Sequence, residues 1–245
     1  MTTPLASIRV LLVGAGGLGS PAARLLSRSG IGALTLVDDD VVDGSNLHRQ
    51  TLYGPADVDR PKGTAAADRL RAEARDAGHA IEIHVVDGRL LPGNALEHMG
   101  RHDLVVEGAD NFATKFLTAD AGRLARVPVV QAGAVRWNGW ALAQLPREGP
   151  CLRCVFEDVP QDRVETCAEA GVVGPVVGVM GALEAALALR LIGGDRSAAG
   201  ELWSYAALDG RLRRRRVRRR AECPLCTGRI EDLRAERYAA PSCAA

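Results

Sequence analysis

The sequence predicts an α/β protein in which a doubly wound, mainly parallel sheet is extended by antiparallel strands. Through the first half, short apolar runs of strand length alternate with helical patterns, as in consecutive β-α-β units. In the second half, the runs at residues 201–206 and 211–217 follow one another without a helix, which predicts antiparallel pairing. We expect one continuous domain, with a Rossmann-like part over residues 1–135 and an antiparallel extension over residues 136–245.

The secondary-structure elements follow from apolar periodicity and from the glycines and prolines that bound each run. Strands are expected over residues 8–13, 33–37, 81–86, 104–107, 129–134, 140–145, 201–206 and 211–217. Helices are expected over residues 21–30, 62–77, 92–100, 113–126 and 175–192. The basic run RLRRRRVRRR is interpreted as an exposed edge strand protected by its charge, with a docking site for an acidic partner as the alternative.

The junction between the first strand and the first helix carries a glycine-rich turn. It contains Gly14, Gly16, Gly17 and Gly19. Without Cβ atoms, these residues can take positive φ and let backbone N–H groups approach a phosphate. Ser20 is expected to cap the helix, with Pro21 at its first position. Because the positive end of the helix dipole favours an anion there, the turn predicts a nucleotide site.

Polar residues follow the second predicted strand. Asp38 lies about 20 residues beyond the glycines, where an acid can reach a ribose hydroxyl. The connection after it is longer than a doubly wound fold needs, and such insertions are usually functional. It contains Arg49 and Gln50 and ends near Lys62. We expect both cations to reach toward the glycine turn; the alternative is that they are solvated surface charges.

A second polar turn follows the fourth predicted strand, where GADN precedes a helix. Asp110 offers a carboxylate to a hard cation such as Mg²⁺, which accepts one or two carboxylates together with phosphate oxygens and water. The alternative is that Asp110 only caps the helix. The sequence leaves these two roles open.

The six cysteines include two CxxC pairs, CLRC and CPLC. Together the pairs predict a structural Zn²⁺ held by four thiolates, Cys151, Cys154, Cys223 and Cys226. Two disulfides are the alternative, which the reducing environment of the cytoplasm, the expected compartment, would disfavour. Cys167 lies on a crossover loop before a helix, where a thiol can act as a nucleophile, although an inert buried cysteine fits equally well.

Composition and charge limit the classes of partner. The formal net charge is +1, so no overall field for nucleic acid or an anionic membrane is expected. The first residues show no basic segment followed by an apolar run, and a cytoplasmic location is expected. Residues 170–183 carry no charge but are too few for a membrane span of about 18 residues, so a buried core helix is expected.

Several motifs, taken in order, resemble the ThiF/MoeB/HesA family of ubiquitin-activating-enzyme-like adenylyltransferases. They are VLLVGAGGLGS, LVDDDVVDGSNLHRQTL, RPK at Lys62, GADN at Asp110, CLRC, ETCAEAGVVGPVVGVMG and CPLC. The resemblance extends from residue 8 to about residue 228. It implies ATP-dependent adenylation of the C-terminal glycine carboxylate of a small ubiquitin-like sulfur carrier protein of the ThiS or MoaD type, which ends in Gly-Gly. Pyrophosphate would be released and the carrier prepared for thiocarboxylate formation.

The resemblance also assigns roles to residues. The nucleotide-binding set is Gly14, Gly16, Gly17, Gly19, Asp38, Asp40, Ser45, Asn46, Arg49, Gln50, Lys62, Asp110 and Asn111. Within it, Asp38 would bind the ribose, the phosphates would lie against Ser45, Asn46, Arg49 and Lys62, and Asp110 would hold Mg²⁺. The catalytic set is Arg49, Lys62, Asp110 and Cys167. Cys167 aligns with a cysteine that links covalently to the carrier in some members.

The resemblance further implies a homodimer. In the family, a preceding helical segment carries an arginine that reaches the partner subunit's site, whereas only seven residues precede the first strand here. No rhodanese-like part follows the second CxxC pair, so a separate sulfur donor is expected. Three other readings stay open: an NAD-dependent oxidoreductase, an activating enzyme for a peptide or other carboxylate, and a non-catalytic scaffold.

Overall fold

The computed structural model describes residues 4–160 and 171–239. Its strands are β1 (Arg9–Val13), β2 (Ala33–Asp38), β3 (Glu82–Asp87), β4 (Leu104–Glu107), β5 (Val129–Val135), β6 (Asn138–Gln144), β7 (Glu201–Ala206) and β8 (Arg211–Arg216). Its α-helices are α1 (Gly19–Ser27), α2 (Lys62–Asp76), α3 (Ala95–Gly100), α4 (Phe112–Ala125), α5 (Leu152–Phe156) and α6 (Gly174–Ile192). The predicted order of strands and helices is confirmed over these residues, except that the short helix α5 was not predicted.

The eight strands form one sheet in the order β3-β2-β1-β4-β5-β6-β7-β8. Neighbouring strands from β3 to β5 pair in parallel, and β6, β7 and β8 continue the sheet by antiparallel pairing. The mainly parallel sheet with an antiparallel extension is therefore confirmed. In the sheet, β2 and β3 lie on one side of β1, and β4 and β5 lie on the other. The topological switch point is therefore between β1 and β4. Ligands of open α/β sheets bind outside the carboxyl ends of the strands at this point.

Helices cover both faces of the sheet. Side chains alternate along β1: Val10 and Leu12 join the apolar cluster under α1, α2 and α6, and Leu11 and Val13 join the cluster under α3, α4 and α5. This alternation explains why β1 reads as a continuous apolar run, since a parallel strand with helices on both faces is buried on both sides. The two clusters therefore lie on opposite faces of the sheet.

The long apolar helix α6 packs against the molecule itself. By length and composition it is the one helix among the described residues that could cross a membrane. It contacts α1, β5 and β6, and it buries Val176, Val177 and Met180. At Gly181 a Cβ atom would lie 2.3 Å from the Leu18 carbonyl oxygen, so glycine permits the close approach of α6 to α1. These contacts are those of the core helix expected from the sequence.

Three predictions about local structure need correction or comment. Ser20 does not cap α1: the helix begins at Gly19, and the buried Ser20 hydroxyl donates to the Ala15 carbonyl oxygen at 3.1 Å. The same helix ends at Ser27, before the predicted end at Gly30. The basic strand β8 is exposed at every residue and lies at the edge of the sheet, as predicted.

Candidate active site

A cavity of about 610 Å³ opens at the carboxyl ends of β1 and β4. This volume lies within the range of about 300–1,000 Å³ that is typical of small-molecule sites. The glycine turn after β1, the loop after β2, the loop after β3 and the start of α4 contribute to its wall. The cavity therefore lies at the switch point, where the sheet topology favours ligand binding.

The glycine turn brings backbone to the cavity at close range. Gly14, Gly16 and Gly17 line the cavity, and Gly14 has φ +86°, which favours glycine. Gly19 does not line it. A Cβ atom on Gly19 would lie 1.9 Å from the Gly14 carbonyl oxygen, so Gly19 acts by letting α1 begin directly against the turn. The start of α1 thus lies beside the cavity, where the N-terminus of a helix favours an anion.

Asp38, at the end of β2, lines the cavity and holds the glycine turn. Its carboxylate accepts hydrogen bonds from the N–H of Ala15 at 2.7 Å and from the N–H of Asp40 at 2.9 Å. Burial raises the pKa of Asp38 above its ordinary value, and these two hydrogen bonds oppose the rise. Asp38 is therefore fixed by backbone groups at the position expected for a ribose-binding acid.

Both predicted cations, Arg49 and Lys62, lie in the cavity wall. Lys62, the first residue of α2, is only 4% exposed, and its Nζ donates to Asp40 at 2.8 Å. The Lys62 N–H also donates to the Asp40 carbonyl oxygen at 2.9 Å, which ties the loop after β2 to α2. Arg49 and Gln50 line the same wall. Lys62 therefore places a buried ammonium in the wall, where it is paired with the exposed Asp40 carboxylate.

Ser45 and Asn46 are not among the residues that line the cavity. They belong to a short 3₁₀ turn, Gly44–Asn46, whose N-terminus is capped by Asp43. The carbonyl oxygen of Asn46 accepts from the N–H groups of Arg49 and Gln50. In this structure these residues shape the loop that presents Arg49.

Asp110 and Asn111 have separate tasks. Asn111 caps α4, because its side-chain oxygen accepts from the Thr114 N–H at 2.8 Å. Asp110 is exposed and lines the cavity. The interpretation of Asp110 as the helix cap is therefore wrong, and its carboxylate is available on the cavity side.

A buried polar network lies beneath this turn and was not expected from the sequence. Glu107, fully buried at the end of β4, accepts from the Ala109 N–H at 2.7 Å and from Gln131 Nε2 at 3.1 Å. Lys115 Nζ donates to Glu107 at 3.1 Å and also to the Ala132 carbonyl oxygen. Burial raises the pKa of Glu107, and Lys115 opposes the rise. The network fixes the backbone of the turn that carries Asp110.

The four CxxC cysteines come together in three dimensions. Among Cys151, Cys154, Cys223 and Cys226, the Sγ–Sγ distances are 3.5 Å for 151–223 and 151–226, 3.6 Å for 154–226 and 3.9 Å for 151–154. A sulfur tetrahedron with metal–sulfur bonds of about 2.3 Å has edges of about 3.8 Å. The four thiols are free, so the two-disulfide alternative is wrong.

The donor chemistry of this cluster also suits a thiophilic cation. Hydrogen bonding with Cys151 lowers the pKa of Cys154 and of Cys226. In contrast, hydrogen bonding with Cys154 raises the pKa of Cys151, and burial raises the pKa of Cys223. The Arg220 N–H donates a hydrogen bond to the Cys154 sulfur at 3.4 Å. Hydrogen bonds of this kind commonly orient the ligands of protein metal sites. Cys167, the predicted nucleophile, lies outside the described residues.

The fold and the cavity define a nucleotide-binding α/β protein with a separate tetrahedral cluster of four cysteines. The ThiF family profile matches residues 2–225, and the chain belongs to this family. The family resemblance predicted from the sequence motifs is confirmed.

Two relatives support the assignment to this family, and one solved structure supports the fold. The chain is 41% identical over 224 residues to the sulfur carrier protein adenylyltransferase of Thermus thermophilus, covering 89% of this chain and 81% of that protein. It is 37% identical over 239 residues to the adenylyltransferase and sulfurtransferase MOCS3 of Xenopus laevis, covering 96% of this chain but about half, 52%, of that longer relative. Among solved structures, Escherichia coli MccB shares the fold with a TM-score of 0.79 at 21% identity, covering 91% of this chain and 68% of that chain.

Proposed function

We propose that this chain catalyses ATP-dependent adenylation of the C-terminal glycine carboxylate of a small ubiquitin-like sulfur carrier protein ending in Gly-Gly. One observation carries the proposal: a single cavity joins a glycine turn of exposed backbone to Arg49, Lys62 and Asp110. Adenylation needs such a set, because an anionic carboxylate must approach an anionic triphosphate. Membership of the ThiF family and the named adenylyltransferase relatives support the same activity.

The residues of the cavity have distinct roles in the reaction. The carrier carboxylate oxygen forms a bond to the α-phosphorus, the bond from that phosphorus to the bridging oxygen breaks, and pyrophosphate leaves with the electron pair. The glycine turn and Asp38 hold the nucleotide, while Arg49 and Lys62 offset the negative charge that the approach and the departure create. Ser45 and Asn46 support the loop that places Arg49.

Two metals complete the proposal. Mg²⁺ would supply further charge neutralisation on the phosphates, and Asp110 would hold it, since a single exposed carboxylate beside a phosphate site suits this ion. Zn²⁺ would bind the four clustered cysteines in a structural role, because all four positions of a tetrahedron are filled by protein sulfur. The sulfur spacing supports this assignment.

The remaining parts of the proposal concern the setting of the reaction. We propose that the chain works as a homodimer, that sulfur comes from a separate donor protein, and that Cys167 forms the covalent link to the carrier. The cytoplasm is the proposed compartment, since four free thiols suit a reducing environment. The near-balanced charge supports recognition of the carrier by a local surface without nucleic acid or membrane.

The test is ATP–pyrophosphate exchange in the presence of a candidate carrier ending in Gly-Gly. We expect exchange that requires the carrier, and mass spectrometry should find AMP attached to the carrier's terminal glycine. The matched control is the same carrier without its last glycine, which should support no exchange. NAD binding without exchange would favour an oxidoreductase, and exchange driven by a short peptide would identify a different carboxylate as the substrate.

A further inference from the structure

The cavity has two chemically different ends on opposite faces of the sheet. Lys62 starts the helix α2, whose buried residues join the α1–α2–α6 cluster. At the other end, Leu90, Leu117 and Tyr238 line the cavity and belong to the cluster under α3, α4 and α5. A nucleotide likewise has a polyanionic end and a flat aromatic end. The apolar end of the cavity therefore matches the base.

The apolar end includes a segment that follows the second cysteine pair. Residues 229–239 run back from the cysteine cluster to α4 and end in a short 3₁₀ helix, Ala235–Tyr238. Ala235 and Tyr238 line the cavity, and Tyr238 is 6% exposed. This segment thus supplies part of the wall although it is far in sequence from every nucleotide-binding motif.

A buried ion pair fixes Tyr238 in this position. Its hydroxyl donates to Asp120 Oδ2 at 2.9 Å, and Asp120 is fully buried in α4. Asp120 also accepts from Arg153 Nε at 2.8 Å and Nη2 at 3.0 Å, a bidentate pair. Arg153 is 1% exposed, lies between Cys151 and Cys154, and its guanidinium is 4.8 Å from the centre of the Phe116 ring. Charge-assisted, buried bonds of this kind hold a side chain in one place.

We propose that Ala235 and Tyr238 form the wall that receives the nucleotide base, with Tyr238 as a specificity-determining residue tethered through Asp120 to Arg153 in α5. This inference rests on the proposed function, because it takes ATP as the nucleotide. Contact with an aromatic side chain is a general source of base affinity. The triphosphate, in contrast, binds at the charged end and does not depend on Tyr238.

The test compares two ligands that share the polyphosphate and differ in the nucleoside. Isothermal titration calorimetry measures the Kd of ATP and of inorganic tripolyphosphate, each with magnesium. For Tyr238→Ala we expect ATP to bind about ten-fold more weakly, with the Kd of tripolyphosphate unchanged. Tyr238→Phe keeps the ring but loses the hydroxyl bond to Asp120, and ATP should bind about three-fold more weakly. The matched control Glu236→Ala, at an exposed residue of the same short helix, should change neither Kd.

Several results would overturn the proposal. An unchanged Kd of ATP in Tyr238→Ala would do so, as would an equal loss of affinity for both ligands, which would indicate a purely structural role. If circular dichroism shows that Tyr238→Ala is unfolded, Tyr238→Phe decides, and wild-type affinities in that variant would refute the tether and the wall. A wild type that binds tripolyphosphate as tightly as ATP would overturn the base wall alone, whereas one that binds neither ligand would overturn the proposed function as well.

Discussion

Replacing Lys62 by methionine removes the most buried cation of the cavity wall while keeping the length of the side chain. Lys62 is 4% exposed and pairs with Asp40 at 2.8 Å. Two unit charges about 4 Å apart interact by about 4 kcal/mol at an effective dielectric constant of about 20. In the wild type, Lys62 must give up its ion pair with the largely exposed Asp40 carboxylate to act on a phosphate, and this costs about 1 kcal/mol. The remaining 3 kcal/mol or so corresponds to a loss of roughly 100-fold or more in rate.

The assay is carrier-dependent ATP–pyrophosphate exchange, measured as kcat/KM for ATP. Arg60→Met is the matched control, because Arg60 is two residues away and pairs with Asp57 and Asp68 outside the cavity wall. The control should stay within about two-fold of the wild type. Thermal unfolding of Lys62→Met should show a fold as stable as the wild type within about 1 kcal/mol. If Lys62→Met keeps a rate within about three-fold of the wild type, the buried ammonium does not act on the triphosphate and the electrostatic reasoning is wrong.

Three further predictions test other parts of the account. Asp110→Ala should abolish ATP–pyrophosphate exchange yet leave α4 and the fold intact, because Asn111 provides the helix cap. Circular dichroism checks the fold and the exchange assay checks the activity. Retained exchange would show that Asp110 does not belong to the site. Purified protein should contain about one zinc per chain by atomic absorption, lost in Cys154→Ser, and a folded wild type without metal would contradict the tetrahedral site. Burial raises the pKa of Glu184 well above its ordinary value, so the folded protein keeps a proton that the unfolded chain releases above its own pKa near 4.5. The contribution of Glu184 to stability should therefore decrease by up to about 1.4 kcal/mol per pH unit from that point up to the folded pKa. Glu184→Gln should remove this contribution, so that the variant loses less stability with rising pH than the wild type in urea titrations at several pH values. An unchanged pH profile in Glu184→Gln would contradict the assignment.

Sequence patterns were sufficient for the elements that depend on local chemistry. The glycine turn after β1 could be placed because glycine readily adopts the positive φ of Gly14 and has no Cβ to block the contact at Gly19. The two CxxC pairs could be joined because zinc accepts four thiolates. The mainly parallel sheet could be predicted from apolar runs that alternate with helical patterns, since parallel strands buried on both faces need helices between them.

The features that sequence patterns missed depend on contacts between distant segments. Gln131 reaches the buried Glu107 only because β4 and β5 are adjacent in the sheet. Tyr238 donates to Asp120 although the two residues are 118 positions apart in sequence, and no local motif predicts that contact. The expected cap at Ser20 was wrong because α1 begins at Gly19, two residues earlier than predicted, where Gly19 lies directly against Gly14, and the Ser20 hydroxyl donates to the Ala15 carbonyl oxygen.

The central claim is that the cavity at the switch point holds a triphosphate so that the terminal carboxylate of another protein can attack it. The most direct measurement is a crystal structure of the wild-type protein soaked with ATP and magnesium. The account predicts phosphate density against the glycine turn, with Arg49 and Lys62 in contact with it and a cation beside Asp110. Nucleotide bound at another place, or a cavity that stays empty at saturating ATP, would contradict it.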